Sequence, residues 1–320
     1  MKIAVLALEC LFDTGLTSVL DVFATANALS QAAMGGVTQF DVTTVGVRRK
    51  VRSAQGLTIP ITLVTDNLAP DWLIVPALKT VTPDTLLPLQ RADVRDAVTL
   101  IGKFSVNGIR IAAACIGTFI VAESGILAGL EATTTWSVSP LFRQRFPTVK
   151  LDETRMLVPT EVGVTAGSAM GHLDLALWLV RQASPQLAEL VSRYLLADIR
   201  SSQAAYIVPN HLAQSDPLVL RFEEWARSHL REGFSLQDAA CALATSPRSL
   251  QRRCQAVLGK SPLAYFQDLR VERARSLIQG SREALDQIAA DVGYIDGATL
   301  RTLLRQRLGR GVRELRAELR

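Results

Sequence analysis

Short apolar runs alternate with stretches of helical periodicity over roughly the first 200 residues of the chain. A strand covered on both faces reads as a continuous apolar run, whereas a helix at a surface shows a period of about 3.6 residues. Strands are therefore predicted at 3–8, 40–46, 72–76 and 109–114, and helices near 17–33, 85–104, 117–127, 169–181 and 185–197. This alternation predicts an α/β domain with a mostly parallel, doubly covered sheet.

The strand pattern stops near residue 200. The segment RSSQAAYIVPNHLAQSDP at 200–217 has no clear period and ends in Ser-Asp-Pro, which is a turn and helix-start signal. Only helical patterns follow it. We therefore expect an α/β domain over 1–199, a linker over 200–217 and an all-α domain over 218–320.

The helical region contains a duplication. One set of apolar and small residues recurs at an offset of 49, and a second set recurs at an offset of 50. The change of offset predicts that the second copy has one extra residue in its turn. Each copy is predicted to be a short helix, a turn and a second helix, at about 236–243 and 247–258, then at 284–292 and 298–308. The first set is Leu236, Ala239, Ala240 and Leu243, matched by Leu285, Ile288, Ala289 and Val292; the second is Leu250, Cys254, Leu258 and Gly259, matched by Leu300, Leu304, Leu308 and Gly309.

The small residues at the centre of each first helix suit a close helix crossing, which a helix-turn-helix requires. Between the copies, Ser261-Pro262 predicts an N-cap followed by proline at the first helical position. That signal opens a long linking helix to about Gln279, and Gly259 and Gly309 are expected to end the second helices. Two helix-turn-helix units joined in this way are typical of a DNA-binding domain.

Charge is distributed unevenly along the chain. Residues 1–210 carry 17 basic and 17 acidic side chains, whereas residues 211–320 carry 18 and 13, and Lys260 is the only lysine in that last part. Arginine suits phosphate oxygens and guanine edges. The excess therefore favours nucleic acid as a partner of the C-terminal region. An exposed arginine face that binds nothing would give the same count.

The C-terminal region resembles the DNA-binding domain of the AraC family of transcription regulators. The resemblance covers about 218–320 and rests on LGKSPLAYFQDLRVERARSLI and IAADVGYIDGATL. It implies that base edges are read by Arg248, Gln251 and Arg252 of the first copy and by Arg301 of the second. Phosphates are expected to contact Arg253, Arg305 and Arg307. Because Arg301 is the only strong polar reader in the second copy, we expect the first copy to carry most of the base recognition.

Cys115 follows the predicted strand 109–114 and precedes a predicted helix. Such an elbow would present its side chain at the carboxyl edge of the sheet, where a helix N-terminus favours a thiolate. The N-terminal region resembles the PfpI-type, class I glutamine-amidotransferase-like fold, and the whole chain resembles the GlxA subfamily of AraC-type regulators. The resemblance rests on Asp21-Val22-Phe23, Asn27, AACIGTFIVAESGILAG, ATTTW, FPTV and GVTAGSAMGHLDLALWLV.

Several residues that catalysis would need are absent from the positions where this resemblance would place them. Thr135 occupies the position before Trp136 where relatives often have histidine, the acid of the first helix maps near Gly15, and Ala77-Leu78 replaces the Gly-Gly of an oxyanion loop. We therefore expect no enzyme activity. Cys115, Ile116, Thr135 and Trp136 are instead expected to line an effector pocket. A buried, inert Cys115 is the alternative, and His172 is expected to start a helix or to pack.

The chain is thus interpreted as a regulator that binds promoter DNA under the control of a small-molecule effector. The resemblance suggests activation, nitrogenous effectors, a homodimer and RNA polymerase as a further partner. A thiol-dependent amidase or glyoxalase-like hydrolase with an auxiliary DNA-binding module is the alternative, and an effector-free architectural DNA binder is disfavoured. Neither a cofactor nor a metal is expected, since the four cysteines are scattered without zinc spacing. With no signal peptide and no apolar run of about 18 residues, we expect a cytoplasmic, nucleoid-associated protein without membrane partners.

Overall fold

The computed structural model of the chain describes residues 1–65, 67–79, 87–198 and 200–317. These residues form two compact units. The first contains Met1–Val138 and Phe146–Gln203, and the second contains Ser139–Arg145 and the residues from Ala204 onward. The short segment Ser139–Arg145 therefore groups with the helical unit, although its neighbours in sequence belong to the other. Each unit is described below by itself.

A seven-stranded sheet forms the centre of the first unit, in the order β10-β11-β7-β6-β1-β2-β5. Only β10 and β11 pair antiparallel; all the other neighbours in this sheet are parallel. The mostly parallel sheet predicted from the sequence is thereby confirmed. The strands are β1 (Lys2–Leu6), β2 (Asp41–Gly46), β3 (Val51–Arg52), β4 (Thr58–Ile59), β5 (Thr62–Leu63), β6 (Trp72–Val75), β7 (Arg110–Ala114), β8 (Glu131–Ala132), β9 (Lys150–Leu151), β10 (Leu157–Thr160) and β11 (Gly163–Ala166), of which β3–β4 and β8–β9 form separate pairs.

Helices cover both faces of this sheet. α1, α5 and α6 pack together on one face, where Val5, Ile74 and Ala112 join their core. The alternate strand residues Leu6, Leu73 and Ile111 are buried as well, on the face where α2 and α3 pack. The helices up to residue 194 are α1 (Asp13–Met34), α2 (Ala92–Val106), α3 (Gly117–Glu123), α4 (Ser139–Arg145, in the second unit), α5 (Gly171–Ala183) and α6 (Pro185–Tyr194), with single 3-10 turns at Leu87–Gln90 and Trp136–Val138.

Several features of this region were not predicted from the sequence, among them the two-residue strands β3, β4, β5, β8 and β9. The helix expected over 85–104 begins only at Ala92, after the 3-10 turn, and its expected first residues 85–86 lie outside the described residues. Strands β10 and β11 and helix α4 were missed because each is short and contains no long apolar run. Strand β10 forms a hairpin with β11, and β11 pairs with the distant β7, so the place of both strands in the sheet depends on a segment far along the chain.

The second unit is helical throughout the residues described there, as the sequence predicts. In both copies of the helix-turn-helix, the helices begin and end within about two residues of the predicted positions. The predicted linker contains a short helix of its own. After a 3-10 turn at Ala204–Tyr206, the helices are α7 (Pro209–Ala213), α8 (Pro217–Ser228), α9 (Leu236–Ala242), α10 (Pro247–Leu258), α11 (Pro262–Gly280), α12 (Leu285–Asp291), α13 (Gly297–Leu308) and α14 (Val312–Ala317).

The predicted helix ends in the second unit are confirmed by their hydrogen bonds. Asp216 accepts the amides of Leu218 and Val219 at the start of α8, and Ser261 accepts the amide of Ala264 at the start of α11. At the other ends, Gly259 and Gly309 adopt the left-handed conformation with φ values of 66° and 69°. These local signals fix where each helix begins and ends.

The backbone at Gly117 lies very close to the backbone of Val75 at the edge of the sheet. A Cβ atom placed on Gly117 would lie 2.2 Å from the Val75 carbonyl oxygen, which is backbone and cannot move aside cheaply. We expect Gly117→Ala to lower the free energy of unfolding by about 1–3 kcal/mol, the usual cost of overpacking. Urea denaturation followed by circular dichroism measures this change.

The matched control is Gly102→Ala within α2, because nothing lies within 4 Å of its would-be Cβ atom. This replacement should leave the protein as stable or raise its stability by about 0.5–1 kcal/mol, since alanine favours a helix. Equal denaturation midpoints for the two variants would contradict the close approach.

Candidate functional site

The first helix-turn-helix consists of α9, the turn 243–246 and α10. Ala239 and Ala240 are fully buried, and these small side chains allow the two helices to cross closely. Ala244 in the turn takes a left-handed conformation with φ of 51°. Ser246 then accepts the amide of Ser249 and begins α10. The sequence thus builds a rigid support beneath α10.

Three polar residues form one exposed face of α10, at spacings of three and four residues. They are Arg248, Gln251 and Arg252, and their side chains have no partner among the residues that the structure describes. The opposite face buries Leu250 and Cys254 in the unit's core. The three predicted base readers therefore lie together and can donate hydrogen bonds to an external partner.

The second helix-turn-helix repeats this arrangement with one extra residue. The Thr245 amide bonds to the Ala240 carbonyl, and the Tyr294 amide bonds in the same way to the Ala289 carbonyl. The inserted residue is therefore Ile295, which directly precedes the capping residue Asp296 of α13. Its side chain is 98% exposed. This location confirms the longer turn that the offsets predict.

Arg301 and Arg305 are exposed on α13, one helical turn apart, with no side-chain partner among the described residues. The other polar position beside them, Thr302, donates its hydroxyl to the Ala298 carbonyl of its own helix. At the three positions that match the polar face of α10, α13 has Ala298, Arg301 and Thr302, so it offers one guanidinium group and no amide there. The exposed Gln306 lies further along the helix.

Two of the predicted phosphate contacts are engaged inside the unit. Arg253 forms an ion pair with Asp216, whose side chain is almost completely buried at the start of α8. Arg307 pairs with Asp268 of α11 and also donates to Gln267. These two arginines stabilise helix packing. Among the three predicted phosphate contacts, only Arg305 is free of such a partner among the described residues.

The predicted elbow at Cys115 is present. The residue adopts φ of 55°, a conformation that side-chain-bearing residues rarely take, between the end of β7 and the start of α3. Its amide donates to the Ala166 carbonyl, and its own carbonyl accepts the Thr134 hydroxyl at 2.6 Å. This network compensates for the strained backbone and holds the elbow at the carboxyl edge of the sheet.

The thiolate expected from the helix N-terminus is not what the structure supports. Burial raises the pKa of the Cys115 thiol to about 11, although the Ile116 amide and the Thr135 hydroxyl act in the opposite direction. The side chain is only 8% exposed. The cost of desolvating a thiolate exceeds the benefit of the seven-residue helix α3. At neutral pH the group is therefore a protonated thiol.

His172 occupies the space where an acid of the first helix would act. Its ring is fully buried, its Nδ1 lies 2.6 Å from the Ala169 carbonyl, and its Nε2 accepts the Ala77 amide at 3.0 Å. A Cβ atom at Gly15 would lie only 2.8 Å from that Nε2 atom, so no side chain fits there without rearrangement. Burial lowers the pKa of His172 to about 4, so the ring is neutral at pH 7.

This contact also engages the backbone amide at the place where an oxyanion loop is expected. The sequence suggested only that His172 starts a helix or packs, because the three partners are far apart along the chain. One signal could have indicated the contact of His172 with Gly15 and Ala77. It is the glycine at the expected acid position together with an isolated histidine in the same domain.

The four predicted pocket residues are partly brought together. Cys115 and Ile116 are buried, whereas Thr135 and Trp136 are partly exposed. The Thr135 hydroxyl lies near enough to Cys115 to lower the pKa of its thiol, and it is also 3.4 Å from the Ser137 hydroxyl.

Sequence reasoning missed a second group of charged residues in the first unit. They line a cavity of about 360 Å³ beyond the carboxyl ends of β1 and β2. Two loops and the start of α2 contribute, so no spacing along the chain could have indicated the cavity. The charged lining residues are Glu9, Arg48, Lys50, Arg91 and Asp93.

Neither a membrane span nor a metal cluster was found in the described part of the chain. No helix there is both long and apolar enough to cross a bilayer. The described residues also contain no group of three or more His, Cys, Asp or Glu side chains placed to hold a metal ion.

Residues 239–318 match the family described as a helix-turn-helix domain. The chain is 26% identical over 251 residues to the HTH-type transcriptional regulator GbdR of Pseudomonas aeruginosa, covering 77% of this chain and 66% of that relative. It is 25% identical over 216 residues to the HTH-type transcriptional regulator GlxA of Rhizobium meliloti, covering 65% of each chain. The chain thus spans just under two thirds of the length of these curated relatives.

The fold of the first unit also has a solved counterpart. A crystal structure of an AraC family transcriptional regulator from Pseudomonas putida superposes with a TM-score of 0.50 at 22% identity, covering 61% of this chain and 98% of that one. A likeness at this level supports the fold alone. It agrees with the doubly covered, mostly parallel sheet described above.

The protonated state of Cys115 leads to a test of its reactivity. Because the raised pKa leaves about one thiolate in a thousand at pH 8, we expect native Cys115 to react very slowly with iodoacetamide. Its rate should rise about tenfold per pH unit towards pH 11. Peptide mass spectrometry after timed alkylation measures each cysteine separately.

The exposed Cys10 in the same unit serves as the internal control and should be modified first. Modification of Cys115 as fast as Cys10 at pH 7.5 would indicate an activated thiolate. It would also remove the main physical argument against catalysis at the elbow.

Proposed function

We propose that this chain, a member of the AraC family with a GlxA-like, PfpI-type N-terminal fold, is a sequence-specific regulator that binds promoter DNA. The observation that carries this proposal is the exposed face of Arg248, Gln251 and Arg252 on a helix held by a helix-turn-helix. These side chains have the donor and acceptor groups that read base edges in the major groove. An Arg pairs with guanine and a Gln with adenine, and each such contact discriminates by about 1–3 kcal/mol.

The two copies have different parts in this proposal. α10 carries two arginines and a glutamine on its outward face, so it reads most of the sequence. α13 has only Arg301 as a strong donor at the matching positions, so it contributes one base contact, and Arg305 contacts phosphate. The internal ion pairs of Arg253 and Arg307 give these two residues mainly a structural part, with phosphate contact as a secondary one.

The first unit is proposed to sense a small molecule without catalysing a reaction. Three observations support a non-enzymatic role: the Cys115 thiol is protonated, the Ala77 amide is occupied by His172, and no side chain fits at Gly15. A nucleophilic cysteine needs an activating base and an open anion site. The proposed effector is a nitrogenous metabolite, and its proposed site is formed by Cys115, Ile116, Thr135 and Trp136.

The remaining partners follow from how such regulators act. A homodimer would place two DNA-binding units on two half-sites, and RNA polymerase would be the partner in activation. Neither cofactor nor metal has a part in this proposal.

The division between the two recognition helices is tested with purified full-length protein. Arg248→Ala should lower the preference for the best DNA site over a scrambled site by about 5- to 150-fold, since one bidentate base contact is lost. Arg305→Ala should weaken binding to both DNAs equally and reduce the slope of log K against log salt by about 0.9. The DNA site is first selected from random sequences, and fluorescence anisotropy then measures affinity.

Arg181→Ala is the matched control, because Arg181 is an exposed arginine at the end of α5 in the other unit. It should change neither specificity nor the salt slope. If the Arg248 and Arg305 variants lost affinity in the same way, the two copies would not differ as proposed.

The effector assignment is tested in cells with a reporter placed behind a promoter that genome-wide mapping shows to be bound. Candidate nitrogen compounds are supplied one at a time. Cys115→Ala and Trp136→Ala should each reduce the response at matched protein levels, because they alter the proposed pocket. An unchanged response in both variants would place the effector elsewhere.

A further inference from the structure

Ile295 is the most exposed large apolar residue in the described part of the chain, at 98% accessibility. It directly precedes Asp296, the capping residue of α13, and the first copy of the helix-turn-helix has no counterpart to it. An apolar residue before the cap usually packs against the fourth residue of the helix, which is Leu300 here. Leu300 is completely buried while Ile295 stays exposed, so the two do not pack in this way. Packing among the described residues therefore gives no reason for an isoleucine at this position.

The start of α13, which carries Ile295, is held by two hydrogen bonds. The Thr299 amide donates to the Asp296 carboxylate at 2.7 Å, and the Gly297 amide donates to the Asp286 carboxylate at 2.8 Å. The second bond ties the beginning of α13 to the beginning of α12. Ile295 thus stands on a fixed support, and little conformational entropy is lost when an outside surface covers it.

The first turns of α13 present methyl groups where α10 presents arginines. Ala298 occupies the position of Arg248, and Thr302 occupies the position of Arg252. Both residues are exposed, and their spacing of four places them on one side of the helix. The Thr302 hydroxyl donates to the Ala298 carbonyl at 3.1 Å, so its methyl group is the part left for an outside contact.

The location of these apolar groups favours DNA as the surface that covers them. In a helix-turn-helix, residues near the N-terminus of the second helix contact base edges in the major groove. The exposed Arg301 and Arg305 on the same helix supply the positive charge that attracts DNA phosphates. The apolar group among the base edges of the major groove is the thymine methyl, which apolar side chains and the threonine methyl contact.

We propose that Ile295, together with the methyl groups of Ala298 and Thr302, recognises thymine methyl groups in the DNA site of the second helix-turn-helix. This inference rests on the proposed DNA binding and adds a second mode of base recognition to it. α10 distinguishes bases through hydrogen bonds, whereas α13 adds apolar contacts beside the hydrogen bonds of Arg301. The contact removes the thymine methyl from water, so a base without that methyl should bind about fourfold more weakly.

The test replaces thymine by uracil, which removes the methyl group and keeps the base pair. A DNA site is first selected from random sequences with the full chain, and each of its thymines is then replaced in turn. Fluorescence anisotropy measures the affinity. At one or more positions, uracil should weaken binding of the unchanged protein about fourfold. At one of these positions Ile295→Ala should bind thymine and uracil DNA equally, whereas Ile295→Val should keep the preference for thymine.

Leu263→Ala is the matched control, because Leu263 is an apolar residue, 48% exposed, at the start of the linking helix α11. This variant should retain the whole effect of uracil. The proposal would be overturned if no thymine of the selected site responded to uracil, or if Ile295→Ala kept every uracil effect. Unchanged DNA binding by Ile295→Ala with reduced reporter expression would point to a protein partner, and would overturn it as well. A selection that enriches no sequence would instead contradict the proposed DNA binding itself.

Discussion

The imidazole of His172 joins three separate parts of the first unit at the carboxyl edge of its sheet. It bonds to the Ala169 carbonyl before α5 and to the Ala77 amide after β6, and its ring lies against Gly15 of α1. Burial keeps the ring neutral, so one nitrogen donates and the other accepts. Because all three segments meet at one buried side chain, the edge that could have held a catalytic site is packed and its amide engaged.

In the second unit, too, some polar side chains are bonded within the unit while others have no partner among the described residues. Both copies bury equivalent residues, since Leu250 and Cys254 of α10 correspond to Leu300 and Leu304 of α13. Their outward faces differ in polar side chains. Ion pairs of Arg253 and Arg307 strengthen the support, while Arg248 and its neighbours on α10 remain available. Packing is therefore symmetric between the copies, whereas the exposed polar side chains are not.

Charge pairing also distinguishes the two candidate ligand regions of the first unit. At the elbow, Cys115 is buried among neutral partners and stays protonated. In the cavity beyond β1 and β2, Arg91 pairs with Asp93, and Arg48 pairs with Asp96 outside the lining. The elbow is therefore surrounded by neutral groups, whereas the cavity is lined by charged ones.

The sequence by itself determined the features that depend on neighbours along the chain. Periodicity, the caps Ser261 and Asp216, and the terminal Gly259 and Gly309 set the helices, and the offsets of the duplication revealed the longer second turn. Only the tertiary structure decided the state of Cys115 and the contact of His172 with Ala77. Desolvation and ion pairing depend on which distant segments come together, and no local pattern records that.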